Sequence, residues 1–165
     1  MWLFAKRVEG VGQMNSVDLS MGQRVSLITL AVKDVQASAR FYDALGWQRA
    51  TGPEDPEEIV TYNLIGQTLG LYPRAMLAED LGIPEEAIGG FSGMTLSHNV
   101  ATKEDVAPIL DLVVQAGGRV LKPAGDIFWG GYIGYFCDPD GHVWEVAHNP
   151  FSPLDKDGAF RWGGY

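Results

Sequence analysis

Glu145 is a single carboxylate inside an apolar run, Val143-Trp144-Glu145-Val146-Ala147. In a strand, Trp144 and Val146 take one face and Glu145 takes the other. A lone carboxylate facing a cavity has its pKa raised by desolvation and can serve as a general base or bind a cation. The plainer alternative is a carboxylate satisfied by a neighbouring donor or by water. A second chemical feature is Phe128-Trp129-Gly130-Gly131-Tyr132. Aromatics around two glycines mark a bend where rings can close over a cavity and stack on a flat apolar or cationic ligand. A rim packed against the C-terminal tail or a dimer partner would use the same residues. Thr29, Thr95 and Ser97 alternate with apolar neighbours. They would give such a cavity a few hydrogen-bonding points, or else belong to a filled core.

The remaining reactive side chains carry less. His98 is in the opposite alternation phase from Ser97, so it is expected on the helix side of its strand or at the strand end. His142 follows a turn glycine and reads as a surface turn residue, while His148 ends a strand and reads as structural or solvated. Cys137 is the only cysteine, which rules out a disulfide within the chain, fits a reducing compartment and suits a small buried apolar residue. The pairs Gly89-Gly90 and Gly117-Gly118 read as turns, and no Gly-rich phosphate loop is present.

The elements that must position these residues occur twice. Arg24–Val32 reads as a strand, with Ile28, Leu30 and Val32 on one side and Leu27, Thr29 and Ala31 on the other. Asp34 is a good N-cap for a helix running to Leu45, with Gly46 as the residue that ends it. Gln48–Thr51, Ile59–Leu64 and Thr68–Tyr72 read as three short strands, separated by Pro53-Glu54-Asp55-Pro56 and Ile65-Gly66-Gln67. A connector over 73–90 holds a short helix, Arg74–Leu81, ending at Gly82. Gly93–Val100 is the second module's first strand. Its helix is expected to start near Asp105, which leaves Pro108 in the first turn where the missing N–H is tolerated. Val120–Lys122, Tyr132–Cys137 and Val143–His148 complete a second βαβββ unit, with Asp138-Pro139-Asp140-Gly141 as a turn. Residues 1–22 lack periodicity and read as a flexible leader. Residues 23–150 read as one domain with modules over 23–72 and 91–150. Residues 151–165 form a tail rich in Pro, Gly and aromatics. Two half-modules bury their sheets by facing each other, and the space between them is a natural ligand site.

At 165 residues, 46% hydrophobic and 20% charged, the chain is of ordinary globular composition. A net charge of -9 with no basic run argues against nucleic acid. No stretch approaches a membrane span, and Met1–Arg7 is too short for a signal core, so a cytoplasmic location is expected.

The run Val32, Asp34, Phe41, Tyr42, Leu45, Gly46, Trp47 and the run Asp138 to His142 with Glu145, in their duplicated context, resemble the vicinal oxygen chelate superfamily of glyoxalases, bleomycin-resistance proteins and extradiol dioxygenases. The resemblance covers about residues 24 to 150. It implies an α+β fold of two paired βαβββ modules, a curved eight-stranded sheet around a cup, and frequent homodimerisation. It also implies a divalent metal held at four positions, on the first and last strand of each module, that acts as a Lewis acid.

In this sequence those positions fall on Leu27, the apolar stretch Leu69–Tyr72, Gly93 and Glu145. One carboxylate does not meet the roughly three protein ligands that a catalytic metal needs. The expectation is therefore no cofactor, with a divalent metal only if a one-residue slip of the strand brings His98 beside Glu145. The reading is a metal-independent protein that binds a small, partly aromatic ligand through Leu27, Thr29, Thr95, Ser97, Phe128, Trp129 and Tyr132. The alternative is a glyoxalase-like lyase or isomerase with Glu145 as base or as a ligand of an altered metal site.

Overall fold

A computed structural model describes residues 23–52 and 58–164. The leader and the Pro53–Pro56 break lie outside the described residues. The first module runs β1 (Leu27–Val32), α1 (Val35–Ala44), β2 (Val60–Leu64), β3 (Gln67–Pro73). The connector holds α2 (Arg74–Leu81). The second module runs β4 (Leu96–Asn99), α3 (Val106–Gln115), β5 (Arg119–Asp126), β6 (Tyr132–Cys137), β7 (Val143–His148). The strands form a three-stranded sheet of order β1-β3-β2 and a four-stranded sheet of order β4-β7-β6-β5. In each sheet the first strand of the module is an edge, paired in parallel with the last strand.

Local chemistry accounts for the helices. The Asp34 carboxylate accepts the Ala37 N–H at 2.8 Å, and Gly46 follows α1 at φ 90°. α2 stops at Gly82, which adopts the left-handed conformation at φ 68°. At the start of α3 a 3-10 turn, Lys103–Asp105, precedes the α-helix, with Thr102 and Asp105 exchanging capping bonds. Pro108 then falls in the first turn, where no intrahelical donor is required.

The expected strand over Gln48–Thr51 does not form, so the described residues carry seven strands in two sheets. That stretch runs beside β2: the Ala50 N–H donates to Thr61 O at 2.7 Å, and the Thr61 N–H reaches the Thr51 hydroxyl at 3.5 Å. A side-chain acceptor in place of the next backbone carbonyl ends the ladder after one bond.

Alternation sets the faces. Ile28 opposes Leu69, Leu30 opposes Leu71, and Tyr62 and Val60 oppose the same two residues from β2. This side packs into a core shared with α1. Leu27, Thr29 and Asn63 take the opposite side and are exposed. In the second sheet, Phe136, Trp144 and Val146 face α3 and join the same core. The two modules therefore meet through their helix-bearing faces. The seam is aromatic: Tyr42 lies 6.1 Å from Trp144, Phe41 lies 6.4 Å from Phe136, and Trp47 packs edge-on against Trp144 at 5.8 Å.

The turn between β6 and β7 clasps the seam. Asp138 Oδ1 accepts the Asp140 and His142 N–H groups, and its Oδ2 accepts the buried Tyr42 hydroxyl at 2.6 Å. Asp140 accepts the Lys33 N–H at 2.8 Å and the Ser38 hydroxyl. His142 is not the surface turn residue expected from its position. Its Nε2 lies 2.9 Å from the Ala31 carbonyl, which can only accept, so that nitrogen carries the proton. At Gly118 a side chain has no room, since a Cβ would stand 2.6 Å from Val113 and 2.9 Å from Phe41. Tyr42→Phe leaves buried Asp138 short of a donor and is expected to cost about 1–3 kcal/mol. Gly118→Ala forces the inter-module packing apart and is expected to cost about 1–3 kcal/mol. Urea denaturation of each variant against the parent checks both values.

Candidate functional site

A cavity of about 890 Å³ opens between the modules. The first module supplies Ile28, Trp47, Tyr62 and Leu69, and the second supplies Ser97, Trp144 and Glu145 from its adjacent strands β4 and β7. Amide side chains ring it: Gln48, Asn63, Gln67, Asn99 and Asn149. Trp129 reaches in from the β5–β6 turn, and Phe160 and Trp162 from the C-terminal tail.

Register determines what surrounds Glu145. β4 pairs Ser97 with Glu145, and β6 pairs Tyr135 with Glu145. The Ser97 hydroxyl donates to Glu145 Oε1 at 3.1 Å, and the Tyr135 hydroxyl donates to Oε2 at 2.5 Å. The carboxylate beside it pushes the Tyr135 phenol up to about 12, with burial adding to the effect. Glu145 is thus a carboxylate held by two hydroxyl donors on the sheet face away from α3. Tyr135 was missed in the sequence, although a signal for it exists. Pro139-Asp140-Gly141, with Gly141 at φ 95°, is a three-residue loop that makes a hairpin of β6 and β7 and pairs Asp138 with His142, and counting outward from that pair sets Tyr135 opposite Glu145.

Trp129 owes its position to the glycines beside it. A tight turn closes with Gly130 N–H donating to Ile127 O at 2.9 Å and Ile127 N–H donating to Gly131 O at 3.0 Å. The indole lies against Gly131 so closely that a Cβ there would sit 1.9 Å from the ring. The double glycine therefore sets the ring's direction.

The structure brings Ser97, Trp129 and Glu145 together at this cavity. Leu27, Thr29, Thr95, Phe128 and Tyr132 are not among its lining residues. Leu27 and Thr29 turn away because β1 gives its Ile28, Leu30 and Val32 side to the core. Thr95 precedes β4 and is exposed. Phe128 is 97% exposed at the turn tip. Tyr132 faces the α3 side, where the Lys103 ammonium sits 4.4 Å from its ring centre.

His98 pairs with Val146, in the alternation phase opposite Ser97 and Glu145. Its ring borders a second cavity of about 120 Å³ with Trp47, Ile109 and Leu112. Part of the residue remains open to solvent at the strand edge, yet desolvation by the surrounding protein lowers its pKa. Cys137 is buried, with its thiol 3.7 Å from Arg119 O. His148 ends β7, and its Nδ1 is buried without a partner.

Among the described residues, no group of three or more His, Cys, Asp and Glu side chains converges as a metal site requires. No helix among them is long and apolar enough to cross a membrane.

A family model described as Glyoxalase/Bleomycin resistance protein/Dioxygenase superfamily matches residues 24–146. No curated protein matches the chain. Among solved structures, a glyoxalase-related enzyme from Fulvimarina pelagi is 39% identical, covers 86% of this chain and 99% of its own, and has a TM-score of 0.77. A hypothetical protein from S. aureus is 25% identical over 79% of this chain and 96% of its own, with a TM-score of 0.68. A lactoylglutathione lyase from Agrobacterium tumefaciens shares the fold at 20% identity, over 84% of this chain and 98% of its own, with a TM-score of 0.58. If the Glu145 charge is what holds the Tyr135 proton, Glu145→Gln should move the Tyr135 pKa from about 12 towards the ordinary tyrosine value. The Tyr135 ring Cζ chemical shift, followed by NMR against pH, reads that movement.

Proposed function

The chain belongs to the glyoxalase/bleomycin resistance protein/dioxygenase superfamily, and from that membership we propose that it is a metal-independent member that holds a small, partly aromatic ligand in the 890 Å³ cavity. The lining carries this reading. Six large rings, Trp47, Tyr62, Trp129, Trp144, Phe160 and Trp162, stand among amide side chains that offer a few hydrogen-bonding points. The donor set at the positions where the family holds its metal supports the same reading. Leu27 and Gly93 offer no ligand atom, and β3 brings Leu69, Gly70, Leu71 and Tyr72 without a carboxylate. Glu145 is thus the one carboxylate at these positions, short of the roughly three protein ligands that a catalytic metal needs. These residues do not fit a divalent metal site.

A second reading keeps an enzyme in view. The relative at 39% identity carries the description of a glyoxalase-related enzyme, and Glu145, positioned by Tyr135 and Ser97, is the group that would act as base in a lyase or isomerase.

The protein acts as a homodimer in the cytoplasm under this proposal. Both module-first strands are sheet edges, and large apolar side chains stand exposed on and beside them: Leu27 at 42%, Met94 at 53% and Phe91 at 67%. A second copy covers the exposed Leu27 and Thr29 face and the edge at β4.

Three measurements test these points. Purified protein is expected to lack stoichiometric Ni, Zn, Mn or Fe; such a metal, lost on Glu145→Ala, would overturn the metal-independent reading. Planar aromatic compounds are expected to quench the intrinsic tryptophan fluorescence, and Trp129→Ala should weaken that binding by about tenfold, in line with a lost stacking partner. Light scattering is expected to give twice the mass of one chain, falling to a single mass in the double variant Leu27→Glu/Met94→Glu.

A further inference from the structure

The cavity's charge is as one-sided as its aromatic lining. Among its described lining residues Glu145 is the only carboxylate, and none of them is a lysine or an arginine. His98 borders the same space, and desolvation holds its ring towards the neutral form. None of the ion pairs among the described residues involves Glu145: they join Arg49 to Asp43, Lys103 to Asp126 and Lys156 to Asp157. The two partners of Glu145 are neutral hydroxyls, which orient a carboxylate without cancelling its charge. An anionic ligand would meet this negative charge with no counter-cation among the described lining residues.

The tail supplies the ring surface. Ser152 is buried, and its hydroxyl accepts the Gly163 N–H at 2.9 Å. Asp155 accepts the N–H groups of Asp157 and Ala159, each at 2.8 Å, which closes a tight loop over 155–159. Gly158 in that loop comes close to Ile65 of the β2–β3 turn, with 3.8 Å between the position of a Cβ and the Ile65 Cδ1. These contacts hold Phe160 and Trp162 at the cavity, edge to face with ring centres 6.4 Å apart. Trp162 keeps 84% of its surface exposed in this position. A fixed loop that spends two large rings on a cavity wall leaves their faces available to a ligand.

We propose that the ligand is an organic cation carrying a flat ring system, its ring against Trp129, Phe160 and Trp162 and its positive charge directed to the Glu145 carboxylate. The rings supply the stacking surface, and the carboxylate supplies the preference for positive charge. The inference rests on the cavity being a ligand site, and it adds two things to that reading: the sign of the charge, and the tail as the selecting element.

Three probes of matched shape test it, titrated by tryptophan fluorescence against the full chain: 1-methylquinolinium, 1-methylnaphthalene and 1-naphthoate. The cation is expected to bind at least about tenfold more tightly than the neutral compound, and the anion more weakly than either. Glu145→Gln should abolish the preference for the cation while leaving the affinity for 1-methylnaphthalene unchanged. Glutamine keeps an acceptor and a donor for Ser97 and Tyr135, and thermal unfolding confirms that the variant is folded. Trp162→Ala, at an exposed position, should weaken the cation and the neutral compound alike. Equal affinity for the cation and the neutral compound, or a preference that survives Glu145→Gln, overturns the inference and leaves the cavity reading standing. Failure of all three probes to bind overturns both.

Discussion

The structure depends on burying Asp138 with its hydrogen bonds satisfied. A carboxylate taken out of water is costly unless it is fully paired, and burial does raise the Asp138 pKa. Tyr42 from the first module and two backbone N–H groups of its own turn answer that cost. The same turn sends Asp140 and His142 to the end of β1 and the start of α1. These bonds are directional, whereas the aromatic seam beneath them is not. The seam supplies the buried area, and the clasp selects one orientation of module on module. Had the modules met through other faces, Trp144 and Phe136 would have lost their ring contacts to Phe41, Tyr42 and Trp47.

That orientation explains the position of the cavity. Helix-bearing faces meet in the core, so the opposite face of the first sheet turns outward, while that of the second carries buried Ile133 and Ala147 beside Tyr135 and Glu145. Ser97, Tyr135 and Glu145 share one of these faces, and Leu27, Thr29 and Asn63 share the other. The cavity forms where the edge strand β4 passes the first module, and it draws from both faces of the sheets near that edge. Ile28 thus reaches it while its neighbours Leu27 and Thr29 do not.

Much of this was legible in the sequence because it is local. Asp34, Gly46, Gly82 and Pro108 each specify a cap or a first turn through their own geometry. The alternation in β1, β4 and β7 was also readable, which separated Glu145 from Trp144 and His98 from Ser97. What alternation does not specify is which side faces the core. For β1 that depended on where α1 and the second module packed, and the residues expected at the cavity took the other side. Gln48–Thr51 has a strand's composition, yet strand formation needs a continuous partner ladder, and β2 offers it a single backbone bond. His142 looked like a turn residue because its partner, the Ala31 carbonyl, is 111 positions away. No local pattern encodes a contact of that length.

The tail is the least legible part and the one that most changes the picture of the site. The family match ends at residue 146, while Asn149, Phe160 and Trp162 at the cavity all lie beyond it. The scaffold and the ligand-facing wall are therefore separate in the chain. The scaffold is held by the clasp at 138–142 and by Gly118, where a change disturbs the packing of one module on the other. The tail is held by two polar side chains, Ser152 and Asp155, and by a surface contact at Ile65. Rings carried on such a loop can be exchanged without disturbing the core, since their faces are not part of it. A protein built this way can keep its fold constant while its ligand changes. The physical reason is that the energy holding the modules together and the surface contacting the ligand are carried by different residues.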